Sequence, residues 1–179
     1  MKSIIFSAVK DYFSTRPVIK HITKLIIAVV PAIATWVVLM FISPNPTIQI
    51  DEVFSGFVNI QISAVAILIS FSIAIITIMV SADNDNIKKI KDTQSTECKK
   101  LKRTNETMSL FQVLLSNITY NVFVETVYII YLIFCIFVQM FIYEEIKIIL
   151  MAVCVLFIIH IFHVLLESVG QMYLTFWKN

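Results

Sequence analysis

The chain has 179 residues, 59% of them hydrophobic and 15% charged, with a formal net charge of +2. That leaves too little hydrophilic material for an independent soluble catalytic core, and no motif for a nucleophile, a phosphate cradle or a metal hydrolase accompanies it; no enzyme is expected and no catalytic residue is assigned. Barrels and open sheets are excluded too, because no closed set of alternating ten-residue strands is present and lipid cannot satisfy free backbone groups.

Residues 1–24 read as a separate amphipathic segment. Ile4, Ile5, Ala8, Val9, Tyr12 and Phe13 recur at helical spacing while Lys2, Lys10 and Asp11 point elsewhere, which predicts a short helix ending near Arg16-Pro17. Two uses fit it: an anchor lying on anionic lipid, or a plug that folds under an oligomer. His21, beside Lys20, falls at headgroup level.

Residues 25–80 supply two spans. Leu25–Ile42 and Val58–Val80 hold no charged side chain, and each is long enough to cross roughly 30 Å of hydrocarbon. The first lacks a cleavage site and is read as a retained span, not a signal peptide. In the second, Ser63, Ser70 and Thr77 fall seven apart, with Gly56 and Asn84 continuing the series and Asn59, Ala66 and Ala74 on the same side. A seven-residue period keeps one stripe toward a partner helix. Small and hydroxylated residues there serve close packing in lipid, or line a pore; Asn59, Ser63, Ser70 and Thr77 are the pore-lining candidates.

Residues 81–117 form a basic segment, expected as a helical hairpin that extends the second and third spans. Lys88, Lys89, Lys91, Lys99, Lys100, Lys102 and Arg103 suit anionic lipid or a phosphate-rich ligand such as a nucleotide or oligonucleotide signal, although no glycine-rich phosphate loop accompanies them. Asp83-Asn84-Asp85-Asn86 lacks the glycine and distal Glu of a calcium loop and reads as a turn or cap.

Residues 118–179 hold an apolar run from Ile118 to Gly170, too long for one crossing and broken by Tyr143-Glu144-Glu145-Ile146-Lys147 into a hairpin of two spans. Glu125, with Asn117, Asn121 and Tyr128 on its face, and His160, His163 and Glu167, followed by Gln171, are the costly residues. Folding the hairpin about the acidic turn sets residues whose numbers sum to about 289 at equal depth, which brings Glu125 toward His163. Buried ionisable groups must face one another or water, so this intramembrane polar cluster is a structural lock, an ion or proton path, or a pH-sensitive latch. The spacing does not establish a metal site, and no metal or other cofactor is assigned.

The charge map orients the chain. Lys2, Lys10, Arg16, Lys20 and Lys24, the seven basic residues of the central segment, and Lys178 lie on one side, whereas Ser43 to Phe57 has none and Lys147 stands alone. Both termini are therefore expected in the cytoplasm, with regulation arriving from inside. An Ile- and Lys-rich chain with few Gly and Pro suggests a bacterial inner membrane. Cys98, Cys135 and Cys154 form no CxxC pair and read as packing or solvent-side thiols. Asn105-Glu106-Thr107 and Asn117-Ile118-Thr119 match the glycosylation pattern on the cytoplasmic side, where that chemistry is absent.

The span containing Ala66-Ile67-Leu68-Ile69 leading into a basic stretch, and the final span containing Phe157-Ile158-Ile159-His160, resemble the small four-pass phage-exclusion and anti-phage defence membrane effectors, the lambda RexB-like proteins. The resemblance covers the topology of the whole chain and only short apolar strings of its sequence. It implies an ion channel that depolarises the infected cell when a cytoplasmic partner signals infection. The fold expected is an all-α membrane protein: four transmembrane helices, an N-terminal amphipathic helix and a cytoplasmic helical hairpin, assembled as a homo-oligomer, a homotetramer being favoured, in the lipid bilayer. The alternative is a non-conducting or holin-like protein: a lesion former, a transporter accessory subunit or an assembly factor.

Overall fold

The structure is a computed structural model that describes residues 9–13, 16–43, 49–81, 85–95 and 107–177. Its elements are a helical turn α1 (9–13), then α2 (Val18–Ile42), α3 (Ile50–Ser81), α4 (Asp85–Asp92), α5 (Leu110–Val138) and α6 (Glu144–Trp177). Of these, α2, α3, α5 and α6 are long and apolar enough to cross a membrane. At 1.5 Å per residue α3, α5 and α6 are each about 45 to 50 Å long, more than a bilayer's hydrocarbon needs, so their ends extend past it.

Local chemistry sets the boundaries. The Pro17 carbonyl accepts from the Lys20 N–H at 3.0 Å, opening α2 after the bend at Arg16. Residues 18–24, which the sequence groups with the amphipathic segment, are therefore the first turns of the first long helix. Ser109 and Gln112 form a reciprocal cap at the start of α5: each backbone N–H is accepted by the other's side chain, at 3.0 and 3.3 Å. Glu144 and Glu145 do not form the hairpin turn expected of them. The turn is 139–143, and both acids occupy the first turn of α6, where carboxylates complement the helix dipole and the Tyr143 carbonyl accepts from Ile146 and Lys147.

Three helices carry a seam of buried and half-buried residues with alternating steps of four and three. On α3 it runs Phe54, Val58, Gln61, Val65, Leu68, Ser72, Ile75, Met79; on α5 it runs Leu114, Ile118, Asn121, Glu125, Tyr128, Leu132, Cys135. On α6 it runs Lys147, Met151, Cys154, Ile158, Ile161, Leu165, Ser168. A 3.5-residue repeat is what small left-handed crossings require. By contrast α2 buries only Lys24, Ala28 and Ala32, one narrow row of four-residue steps.

The chain packs as two compact units. The first comprises Met1–Thr23, Ser70–Phe123 and Phe162–Asn179; the second comprises Lys24–Ile69 and Val124–Ile161. In the first, Met79, Ile90, Leu114 and Ile118 form a core with Ile75, Ile87, Phe111 and Met172 around it. Thr93 to Ser95 pairs with Met108 to Leu110 by two backbone bonds of 2.9 Å, closing the neck of the central segment. In the second, Phe54, Val58 and Val65 of α3, Tyr128 and Leu132 of α5, and Ile148 and Met151 of α6 are buried. Lipid tails are as apolar as these side chains, so in a bilayer the contacts hold by close packing and by the polar bonds among them.

Candidate functional site

The polar content of the second unit is concentrated where lipid makes it costly. Glu125 is fully buried in the α5 seam, and Tyr128, one turn on, donates from its hydroxyl to Gln61 Oε1 of α3 at 3.3 Å. Tyr131 donates to the Leu150 carbonyl of α6 at 3.2 Å. Nearer the start of α3 and α6, the Lys147 ammonium, 6% exposed, pairs with Asp51, whose carboxylate stays open to the surroundings. Each bond joins two helices, so the set fixes helix rotation as well as supplying energy. In model membranes such bonds contribute about 1 kcal/mol apiece.

In the first unit Tyr12 and Arg16 of the N-terminal segment are docked. Tyr12, with no exposed surface, stacks on Tyr120 of α5 at 3.8 Å with the rings 6° from parallel. The Arg16 guanidinium, 5% exposed, lies 4.1 Å from the centre of the Tyr12 ring and donates to the Tyr12 carbonyl at 3.1 Å and to Asn117 Oδ1. Asn117 in turn donates to Gln171 Oε1 of α6 at 3.2 Å. Phe13 and His21 contact the same rings, Phe13 staying half exposed. Ile4, Ile5 and Ala8 lie outside the described residues.

Burial pushes the Tyr12 phenol up from its ordinary value of 10 to about 12, with Arg16 opposing the rise and Glu167 adding to it. A phenol whose value is raised on docking favours the docked state in its neutral form. That contribution is complete below pH 10 and is lost as pH rises toward about 12. Proteolysis of the N-terminal segment should accelerate across that window, and the Tyr12 component of the acceleration should vanish in Tyr12→Phe; a pH profile identical in the two proteins would contradict the assignment.

The sequence-derived candidates are distributed as follows. Asn59, Ser63, Ser70 and Thr77 all lie on the exposed face of α3, opposite its buried seam. Within one chain this stripe is therefore not the packing face. Gly56, Ala66, Ala74 and Ser81 share it, while Ile60, Ile67, Phe71 and Ile78 border it on one side and Ile73 and Val80 on the other, all exposed. Ser63 donates to the Asn59 carbonyl at 3.2 Å and Thr77 to the Ile73 carbonyl at 2.9 Å. Of the polar cluster, Glu125 and His160 belong to the second unit, His163 and Glu167 to the first; His160, His163 and Glu167 are half-buried on the flank of the α6 seam.

Lys88, Lys89 and Lys91 are exposed on α4, whose Ile87 and Ile90 turn into the first unit's core. Lys88 approaches Asp85 at 3.9 Å, and Lys91 lies 5.2 Å from the Phe111 ring centre. Lys99, Lys100, Lys102, Arg103 and Cys98 lie outside the described residues, as do Asp83 and Asn84.

Sequence reasoning missed the dock of Tyr12 and Arg16, the Gln61–Tyr128 bond and the Asp51–Lys147 pair. Lys147 carried the one usable signal, since a lone lysine next to a span implies an acidic partner. Cys135 and Cys154, expected with Cys98 to be packing or solvent-side thiols, are both buried. Among the described residues no group of three or more His, Cys, Asp and Glu side chains could hold a metal ion. Compared with known proteins, the chain matches no family model, no curated protein and no solved structure.

Proposed function

We propose that this chain is the subunit of an oligomeric ion channel, a membrane-depolarising effector of bacterial anti-phage (abortive infection) defence, gated from the cytoplasm by a nucleotide-type ligand or a partner protein. It sits in the inner membrane with both termini cytoplasmic, following the lysine and arginine bias. The defence role rests on the resemblance to RexB-like four-pass proteins. Conduction rests on one observation: the outward face of α3 is a continuous stripe of small and polar residues between two bulky apolar borders. A helix that faces only lipid gains nothing from such a groove, whereas copies packed about an axis bring their backbones close and turn hydroxyls toward a shared path. Four helices in one copy enclose no hydrated path easily, which is why an oligomer is required.

A non-conducting protein is the second reading, and the back-bonding of Ser63 and Thr77 favours it. Hydroxyls bonded to the preceding turn are satisfied in lipid without any pore.

One substitution series separates the two. A Cβ at Gly56 would meet nothing within 4 Å, so Gly56→Leu and Ser63→Leu leave a single chain's packing intact and, at Gly56, improve helix propensity by about 1 kcal/mol. The channel reading expects normal insertion and thermal stability, loss of the oligomer on native mass measurement, and loss of ion flux in liposomes. Intact flux in both variants would remove α3 from the pore.

A further inference from the structure

One end of the second unit carries a large apolar turn that the chain leaves uncovered. Met140 and Phe141, at the tip of the α5–α6 connection, are 83% and 86% exposed, and Phe137 and Tyr143 on either side are exposed as well. Apart from Gln139 the turn reads Met140-Phe141-Ile142-Tyr143. Asp51 at the start of α3 reaches Lys147 in the first turn of α6, so the link from α2 to α3 lies at this same end. That link has the opposite composition, opening with Ser43-Pro44-Asn45-Pro46-Thr47.

We propose that the turn 139–143 is an interfacial anchor whose partner is lipid: Met140 and Phe141 insert among the upper acyl chains of the leaflet at this end of the unit, with Tyr143 at the headgroup boundary. Three features fit acyl chains better than water or a partner protein. The first is continuity. The exposed row Ile130, Phe134, Phe137 on α5 reaches Phe141 four residues on, and Ile146 and Ile149 are exposed on α6, so the tip joins the outer sides of two apolar helices of spanning length without a polar break. The second is layering. The carboxylates of Glu144 and Glu145 are exposed immediately after Tyr143, and Asp51 and Glu52 are exposed at the same end, so the change from apolar to charged falls within one turn, with the tyrosine at the step. The third is the backbone. The Gln139 and Phe141 N–H groups donate to the Cys135 and Val138 carbonyls at 3.0 and 2.9 Å, and the Tyr143 carbonyl accepts from Ile146 and Lys147 at 3.1 and 3.2 Å, which suits an environment poor in hydrogen bonds.

The anchor sets where the hydrocarbon begins along α5. Counted from Val138, Glu125 lies about 20 Å below that boundary, inside a layer roughly 30 Å thick, and the length α5 has to spare falls at its Leu110 end. Lys147, in the first turn of α6, stays near the boundary, in keeping with the open carboxylate of its partner Asp51. None of this depends on whether the protein conducts.

The test uses the full chain in phosphatidylcholine vesicles, with the chain's two tryptophans removed by Trp36→Phe and Trp177→Phe so that a single introduced tryptophan is read. Phe141→Trp probes the tip, Phe134→Trp the side of α5 and Glu145→Trp the acidic collar; all three sites are exposed, so the packed seams are untouched. Phospholipid brominated high on its acyl chains quenches from the membrane, and iodide, present on both faces of the vesicles, quenches from water. The anchor expects Phe141→Trp to be quenched by the brominated lipid at least as strongly as Phe134→Trp, and to be protected from iodide several-fold relative to Glu145→Trp. Iodide quenching at Phe141→Trp equal to that at Glu145→Trp would place the turn in water and overturn the proposal. Protection from both quenchers would overturn it too, because another chain would then cover the tip. Absence of lipid quenching at Phe134→Trp as well would remove the α5 span together with the anchor. Met140→Trp reads the same tip should Phe141→Trp fail to insert.

Discussion

Arg16→Ala should release the N-terminal segment from the first unit. The guanidinium is buried, lies over the Tyr12 ring and donates to both the Tyr12 carbonyl and Asn117, so the substitution removes a desolvated cation–π contact of about 2 kcal/mol and charged hydrogen bonds of similar size. Allowing about 1 kcal/mol for the relief of the buried charge's desolvation, roughly 3 kcal/mol is lost from docking, about a hundredfold in the population of the undocked segment. Arg16→Lys should release nearly as much, because an ammonium cannot stack on Tyr12 while bonding Asn117 in the plane of a fork. Phe13→Ala, at a half-exposed ring, should cost under 1 kcal/mol. Hydrogen exchange of residues 9–16 at neutral pH measures all three. Protection in Arg16→Ala equal to the parent would mean that the aromatic stack alone holds the segment.

This dock bears on the gate expected of the N-terminal segment. A segment tied by a stack, a cation–π contact and a relay from Arg16 through Asn117 to Gln171 is held to α5 and α6 at once, so a docked–undocked equilibrium between two states would break contacts on both helices. On the proposed reading, a ligand that binds the undocked segment, or the lysines of α4 in the same unit, shifts that equilibrium only by its differential affinity for the two states.

Much of the architecture was readable because hydrocarbon admits few solutions. An apolar run of some twenty residues has to be a helix, so the four long helices followed from Leu25–Ile42, Val58–Val80 and the interrupted run after Ile118. Their ends were less legible. Lys20 and Lys24 look interfacial by charge yet begin α2, and Glu144 and Glu145 look like a turn yet cap α6, because hydropathy reports the solvent of a side chain and not the hydrogen bond of its backbone. The α3 face was ambiguous for a different reason. That helix carries two seven-residue repeats, and the one with Phe54, Val58, Val65 and Met79 turns inward although the hydroxyl row is the more conspicuous in sequence. Bulk decides, since large side chains fill an interhelical gap that Ser63 and Ser70 would leave open. The Tyr12 dock was illegible because its partners Asn117 and Tyr120 lie over a hundred residues away and an arginine beside a tyrosine also suits a membrane surface.

Glu125→Gln should separate stability from function more sharply than any other change in the chain. Glu125 sits fully buried in the middle of the α5 seam, between Asn121 and Tyr128, at a position where the neighbouring repeats use Ile118 and Leu132. A carboxyl group there costs several kcal/mol more to bury ionised than an amide of the same shape. Replacement by glutamine keeps the volume and most of the hydrogen-bonding capacity and removes the ionisable group. The folded protein should therefore hold or gain stability, by up to about 2 kcal/mol, and on the proposed channel reading it should lose most of its ion flux. Glu125→Leu, which suits the repeat better still, should show the same division with a larger gain in thermal stability. Flux in liposomes and thermal unfolding in detergent, measured on the same preparations, decide the matter. Unaltered flux with raised stability would make Glu125 a structural lock only, and a large loss of stability in Glu125→Gln would show that the negative charge itself holds the second unit together.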